Sequence, residues 1–435
     1  MKIQIKGGHL IDPASGLDVV KDLFIAAGRV VGVGEAPAGF SANRSIDASG
    51  LTVLPGLVDL SVRLKDSGWG DASGNSELRA AAAGGVTRVV CPPDTDPILD
   101  EPGLVDRLTY RMRQGHGVQV HPLGALTLGL KGETIAEMAQ LREAGCVGIS
   151  QADEPVADAT VLQRALQYAL THGLTVWLRP LEANLSRGGV AASGALASRL
   201  GLSGVPVAAE SIALLTLFEL LRGTPCRVHI TRLSTARGVE LVRQAKREGL
   251  PVSCDVSVHN LHLTEADIGF FNPMYRLDPP LRTQRDRDAL LAGLADGTID
   301  AVCSDHRPVA DDDKTLPFGE AVPGASGVEH LLPLMLKWAH AHQRPLADVV
   351  RLIAGNPARI AGVNGGSLRV GEQADLCVLD TRAMQLVSRE TMVSASRATP
   401  WLGYELPGAV RATLVAGQVV WERTASGEPA ASPLA

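Results

Sequence analysis

Eight short apolar runs alternate with stretches of helical periodicity between residues 57 and 306, and this alternation constrains the chain more than any other feature. The runs are LVDLSVRL (57–64), TRVVCPP (87–93), VQVHPLGAL (118–126), CVGIS (146–150), LTVWLRP (174–180), CRVHITRLS (226–234), PVSCDVSVH (251–259) and DAVCSDH (300–306). Each has the length of a strand buried on both faces, as in a parallel sheet covered by helices. The intervening segments carry helix ends. In STARGVELVRQAKREG, Ser234 or Thr235 can cap the start, Val239, Leu241, Val242 and Ala245 form the apolar stripe, and Gly249 ends it. AAESIALLTLFELLRG (208–223) is apolar almost all round and is expected to be well buried. The fold class expected is α/β, a closed (β/α)8 TIM-type barrel. A doubly wound open sheet is the alternative, but no GxGxxG turn supports it.

The flanks follow a different period. KIQIKGG alternates as a strand does, and DLFIAAGRVVGVG reads as two strands joined by a hairpin at Ala27-Gly28. ADLCVLD and VRATLVAGQVVWE return to strands near the other end, so a small β-domain is expected from both termini. The expected organisation is 1–52 for the first part of that domain, 53–362 for the barrel and 363–423 for the second part. TASGEPAASPLA (424–435) is expected to be a flexible tail.

The net charge of −6 comes with no basic block, which excludes an electrostatic nucleic-acid or anionic-membrane partner. Six cysteines without a CxxC pair are expected to be small buried hydrophobes rather than a disulfide framework. Lys2 and Lys6 interrupt any apolar leader, and no run approaches 18 apolar residues, so the expected compartment is the cytoplasm.

In such a barrel the working residues lie at the carboxyl ends of the strands. Those ends carry Asp59, Ser61, Arg63 and Lys65; Asp94 and Asp96; Asp153 and Glu154; Arg179 and Glu182; Arg232; His259; and Asp305 with His306. A catalytic zinc wants three protein ligands, chiefly imidazole or thiolate, and an open position. Only His259 and His306 lie near the mouth, with His262 just beyond, and no HxH pair exists. An all-oxygen magnesium or manganese site from Asp59, Asp153 and Asp305 is conceivable, although nearby arginines would repel the cation. Alternatively Arg63 and Arg232 pair with Asp59, Asp153 or Asp305, a guanidinium taking the place of a metal. The DDDK run (311–314) is expected to be a solvated loop, and His259 and His262 to be packing or hydrogen-bonding residues.

Blocks in order along nearly the whole chain resemble the dihydroorotase family of amidohydrolases. Among them are PGLVDLSVRLKDSGW, AAAAGGVTRVVCPPDTDP, GLKGETIAEMAQLREAGCVGIS, RLSTARGVELVRQAKREG, PPLRTQRDRDALLAGLADGTIDAVCSDHRP and GSLRVGEQADLCVLD. The resemblance implies zinc as the cofactor of active relatives, and places Ser61, Arg63, Pro180 and Arg232 where that family has metal histidines. Asp153 matches an aspartate that ligates metal in one branch, and Asp305 the general base. Lys65, Asp94 and Val309 stand at substrate positions where the family has arginine, asparagine and histidine. On this comparison no metal and no catalytic residue are expected. The chain resembles inactive members that associate with aspartate carbamoyltransferase in pyrimidine biosynthesis, which implies a structural or regulatory partner role in a hetero-oligomer. A working cyclic-amide hydrolase with an atypical metal site, and a small-anion binder using Arg63, Arg179 and Arg232, are the alternatives.

Overall fold

The computed structural model describes residues 1–64, 73–113 and 117–423. Lys65 and the segment 424–435, on both of which expectations fell, lie outside the described residues.

All eight apolar runs form strands of one parallel sheet. They are β1 (Leu57–Asp59), β2 (Val86–Cys91), β3 (Gln119–Ala125), β4 (Gly148–Ser150), β5 (Val176–Leu178), β6 (Val228–Ile230), β7 (Val252–Ser257) and β8 (Ala301–Cys303). Neighbours in sequence are neighbours in the sheet throughout. The sheet closes just beyond its first and last strands. His306 N donates to Ser61 O at 3.0 Å, and Arg63 N to His306 O at 2.8 Å. That closure excludes the open-sheet alternative. Eight helices follow the strands: α1 (Ser73–Ala83), α2 (Pro102–Arg113), α3 (Met138–Glu143), α4 (Ala159–Thr171), α5 (Val207–Gly223), α6 (Ala236–Arg247), α7 (Gln284–Ala295) and α8 (Leu331–Ala341).

Strand periodicity sorts the core into layers. Val90, Leu123, Trp177, Ala301 and Cys303 pack together inside the barrel, while Val89, Cys91, Val176 and Val228 join the larger core shared with the helices. All six cysteines are buried and free. Among the described residues no helix is long and apolar enough to cross a membrane.

The termini build a second sheet. Strands Lys2–Asp12, Leu17–Ala26, Arg29–Val33 and Thr52–Pro55 from one end combine with Leu376–Leu386, Glu405–Val415 and Gln418–Glu422 from the other. The seam is the antiparallel pairing of Thr52–Pro55 with Leu376–Leu379. The hairpin at Ala27-Gly28 is present, with both residues at positive φ (50° and 74°), the backbone a two-residue turn of matching twist requires. Arg88, on β2, reaches into this domain: its Nη2 lies 2.8 Å from Asp375 Oδ2, and both side chains are buried.

Two elements differ from expectation. Helix α5 is not buried all round: Ile212 and Leu215 are 43% and 50% exposed on one face, while Leu214, Leu217, Phe218 and Leu221 fill the other. Its apolar character therefore exceeds what the barrel itself covers. The DDDK run is not wholly solvated either. Lys314 is 3% exposed, and its Nζ donates to the carbonyls of Pro273 (3.1 Å) and Arg276 (3.0 Å), fastening the segment after β8 to the one before α7.

Helix α6 starts where the composition indicated, with Thr235 Oγ1 accepting from Gly238 N at 2.9 Å. Its N-terminal turn is anchored by a residue of α5. The buried Glu210 carboxylate accepts from Ser234 N (2.8 Å), Ser234 Oγ (2.6 Å), Thr235 N (3.0 Å) and Thr235 Oγ1. Arg232 lies two residues upstream, so this clamp fixes the backbone that presents it. Glu210→Ala leaves these buried donors without an acceptor, at roughly 1–3 kcal/mol for each one left unmet. A loss of at least about 3 kcal/mol in urea unfolding is expected.

Candidate functional site

Eight charged side chains, from the carboxyl ends of barrel strands and from the segments around Asp278 and Arg307, converge on the mouth, with Asp153 at their centre. Arg63 Nη2 lies 2.7 Å from Asp153 Oδ2, and Arg307 Nη1 lies 3.2 Å from the same oxygen. Arg232 Nη2 bonds Asp153 Oδ1, and Arg179 Nη1 stands 3.6 Å from it. The arginines in turn hold further carboxylates. Arg63 Nε donates to Asp94 Oδ2 at 2.8 Å, and Arg232 Nη1 to Asp305 Oδ1 at 3.1 Å. Arg179 grips Asp278, from the segment before α7, with both of its terminal nitrogens.

The cluster is formally balanced: Arg63, Arg179, Arg232 and Arg307 against Asp94, Asp153, Asp278 and Asp305. Burial by itself would raise the Asp153 carboxyl, but Arg232, Arg63, Arg179 and Arg307 hold it well below the usual carboxylate range. Burial also opposes ionisation of Asp278, and Arg179 outweighs it. Asp305 goes the other way, because burial prevails over Arg232 and Arg63 and lifts it above its ordinary value. The backbone is bent to deliver these groups. Arg232, Asp305 and Ala152, the neighbour of Asp153, have φ of 54°, 51° and 51°, a left-handed conformation that costs non-glycine residues of order 1 kcal/mol each.

Not every expected residue joins. Asp59 was expected to be available to an arginine or a metal, but no arginine pairs with it. Its Oδ1 accepts from Ser304 N (3.0 Å) and Ser61 N (3.3 Å), and its buried Oδ2 has no hydrogen-bond partner. Desolvation raises it to about 6. Ser61 contributes main-chain atoms to the barrel closure. Pro180 makes no contact of its own with the carboxylates; it lines a cleft of about 120 Å³ together with Leu178, Arg179, Ile212 and Leu217. Val309 is buried, and both its N and O bond Ser396 Oγ, at 3.1 and 2.7 Å.

The histidines near the mouth are committed to internal bonds. His306 is fully buried; its Nε2 donates to Glu77 Oε2 at 2.9 Å and its Nδ1 accepts from Gly327 N at 3.1 Å. His259 Nδ1 accepts from Trp401 Nε1 at 3.0 Å, and His262 Nε2 donates to Leu334 O at 3.0 Å. Burial lowers His259 to about 3 and His262 to about 4. Both act in packing and hydrogen bonding, as the sequence led one to expect.

Asp278 and Arg307 were not identified from sequence. Asp278 immediately precedes the PPLRT block and Arg307 follows Asp305-His306, but neither ends a strand. Their weak signal is proximity to matched blocks.

The comparisons with known proteins agree with the fold. A dihydro-orotase-like family model matches residues 50–237, and an amidohydrolase family model residues 208–420. A protein of Pseudomonas aeruginosa named dihydroorotase-like protein is 43% identical over 97% of this chain and 100% of its own length. The chain belongs to the dihydroorotase-like family. A dihydroorotase of Geobacter sp. (strain M21) is 39% identical over 97% of the chain and all of its own length. Among solved structures, the L-hydantoinase (dihydropyrimidinase) of Arthrobacter aurescens superposes with a TM-score of 0.86 at 26% identity, covering 99% of this chain and 97% of its own.

The donor set here does not fit zinc. Among the described residues no three His, Cys, Asp or Glu side chains are grouped to hold a metal ion. Guanidinium groups occupy both oxygens of Asp153, and the all-oxygen site from Asp59, Asp153 and Asp305 does not form.

Two predictions follow from the electrostatics. Asp153→Ala leaves four guanidinium groups facing three carboxylates, and removing one partner of a buried pair costs about 3–5 kcal/mol; urea unfolding should show a loss of that size. Asp59 behaves oppositely. Its pKa is raised in the folded chain, so its ionisation costs stability as pH climbs from about 4 to 6 and the cost persists above that range. Asp59→Asn should therefore stabilise the protein by up to about 3 kcal/mol at pH 8, and the gain should vanish below about pH 4. Thermal melts across that range measure both limits.

Proposed function

We propose that this chain is a non-catalytic member of its family, acting as a structural or regulatory partner of an aspartate carbamoyltransferase catalytic chain in pyrimidine biosynthesis. The observation carrying the first half is the saturation of Asp153 by Arg63, Arg179, Arg232 and Arg307. Metal-assisted hydrolysis needs an ion that activates water and polarises the scissile carbonyl. The positions where the resemblance expects zinc histidines carry Ser61, Arg63, Pro180 and Arg232. Two of those replacements are cations inside the mouth, and they repel any metal. Asp305, the residue matching a general base, is tied to Arg232 and has no activated water to deprotonate.

The partner half rests on the resemblance and on the relatives named dihydroorotase-like protein in Pseudomonas aeruginosa and Pseudomonas putida, both 43% identical. The exposed face of α5 supports a subunit role, because Ile212 and Leu215 lie uncovered along it. The charge balance of the mouth disfavours the small-anion reading, since each arginine already faces a carboxylate.

A second reading, a working hydrolase of cyclic amides, is favoured by relatives named dihydroorotase and by retention of Asp305. One pair of measurements separates the two. Purification from the native cell is expected to bring down an untagged aspartate carbamoyltransferase, and the purified chain to hold substoichiometric zinc and leave dihydroorotate unhydrolysed. Stoichiometric zinc with metal-dependent turnover establishes the hydrolase instead, and absence of the carbamoyltransferase from the complex removes the partner role.

A further inference from the structure

A second cavity, of about 230 Å³, lined by none of the residues of the arginine cluster, lies where the barrel meets the terminal β-domain. Its apolar walls include Pro333 of α8, Leu386 at the end of strand Leu376–Leu386, and Leu406 and Val410 of strand Glu405–Val415. Three ionisable groups line it as well, Glu329, His330 and Arg423, beside the neutral Gln385 and Thr391.

None of the three is neutralised by another. Glu329 accepts from the backbone amides of Val393 (2.9 Å) and Ser394 (3.2 Å) and makes no ion pair among the described residues. Arg423 likewise has no side-chain partner among them, and its Nε is buried without one. His330 is 6% exposed, and its Nε2 is also buried and unpartnered. Burial raises the Glu329 carboxyl, lowers the Arg423 guanidinium despite Glu329, and lowers His330 to about 3, so that ring is neutral. Buried polar groups without partners are uncommon in folded chains, and here two of them share one cavity. An apolar cavity with a few convergent polar groups is the usual form of a small-molecule site.

The charges select the ligand. An anionic head gains Arg423 but meets Glu329, and a cationic head gains Glu329 but meets Arg423. A neutral head that both donates and accepts satisfies the two together and loses less solvation on entry. A volume of this size holds roughly five to eight non-hydrogen atoms, taking about 30 Å³ for each water-sized unit. We infer that this cleft binds a small neutral amide or ureide with a short apolar body, its head group between Glu329 and Arg423.

Three probes of equal chain length test this on the full chain: pentanamide, pentanoate and pentylammonium. Saturation-transfer NMR and calorimetry should show pentanamide bound at millimolar concentration, with both charged probes at least tenfold weaker. Arg423→Ala should weaken pentanamide severalfold. Leu386→Trp should abolish binding by filling the cleft, and at a position 53% exposed it leaves the fold intact, which a thermal melt checks. The inference is overturned if pentanamide does not bind, if a charged probe binds as well, or if Leu386→Trp binds normally. It is equally overturned if pentanamide binds only after truncation at residue 423, because the cleft is then the seat of residues 424–435.

Discussion

The carboxylate of Asp153 organises the carboxyl end of this barrel. Four guanidinium groups from four separate segments meet there, and three other carboxylates hold those guanidinium groups from behind. A buried network of this kind is seldom a net source of stability compared with a well-packed apolar core. Its influence lies in direction: it ties the ends of β1, β2, β4, β5 and β6, the segment after β8 and the segment before α7 to one point. The left-handed residues at 152, 232 and 305 are the local cost of that convergence.

Much of the fold was legible because parallel strands covered on both faces leave a simple trace. Eight apolar runs gave eight strands in the expected order, and the Thr235 cap and the Ala27-Gly28 hairpin fall where local chemistry puts them. Helix α5 was misread because composition reports how apolar a segment is, not whether enough partners exist to cover it. Lys314 was misread because a charge run looks solvated unless one knows which carbonyls lie within reach of its long stem.

The candidate site was legible in part. Arg63, Asp94, Asp153, Arg232 and Asp305 could be named because strand ends in such a barrel point at one place. Asp59 shares that position but turns to the amides of Ser61 and Ser304, and no periodicity distinguishes those outcomes. Asp278 and Arg307 enter from loops, whose paths depend on tertiary contacts rather than on a repeat. Pro180 matches a ligand position by alignment, yet it has no ligand atom to offer and lines a cleft beside Arg179.

The balance of the Asp153 cluster also bears on descent. Changing Arg63 or Arg232 back to a neutral histidine removes one cation from a matched set and leaves a buried carboxylate without its partner. Each such step costs several kcal/mol before any metal can bind to repay it. If the chain is the non-catalytic member proposed above, a path to hydrolysis crosses intermediates that lose stability at each such step. On that reading the matched charges act as a one-way gate, because the same ion pairs that hold the strand ends together oppose a cation entering the mouth.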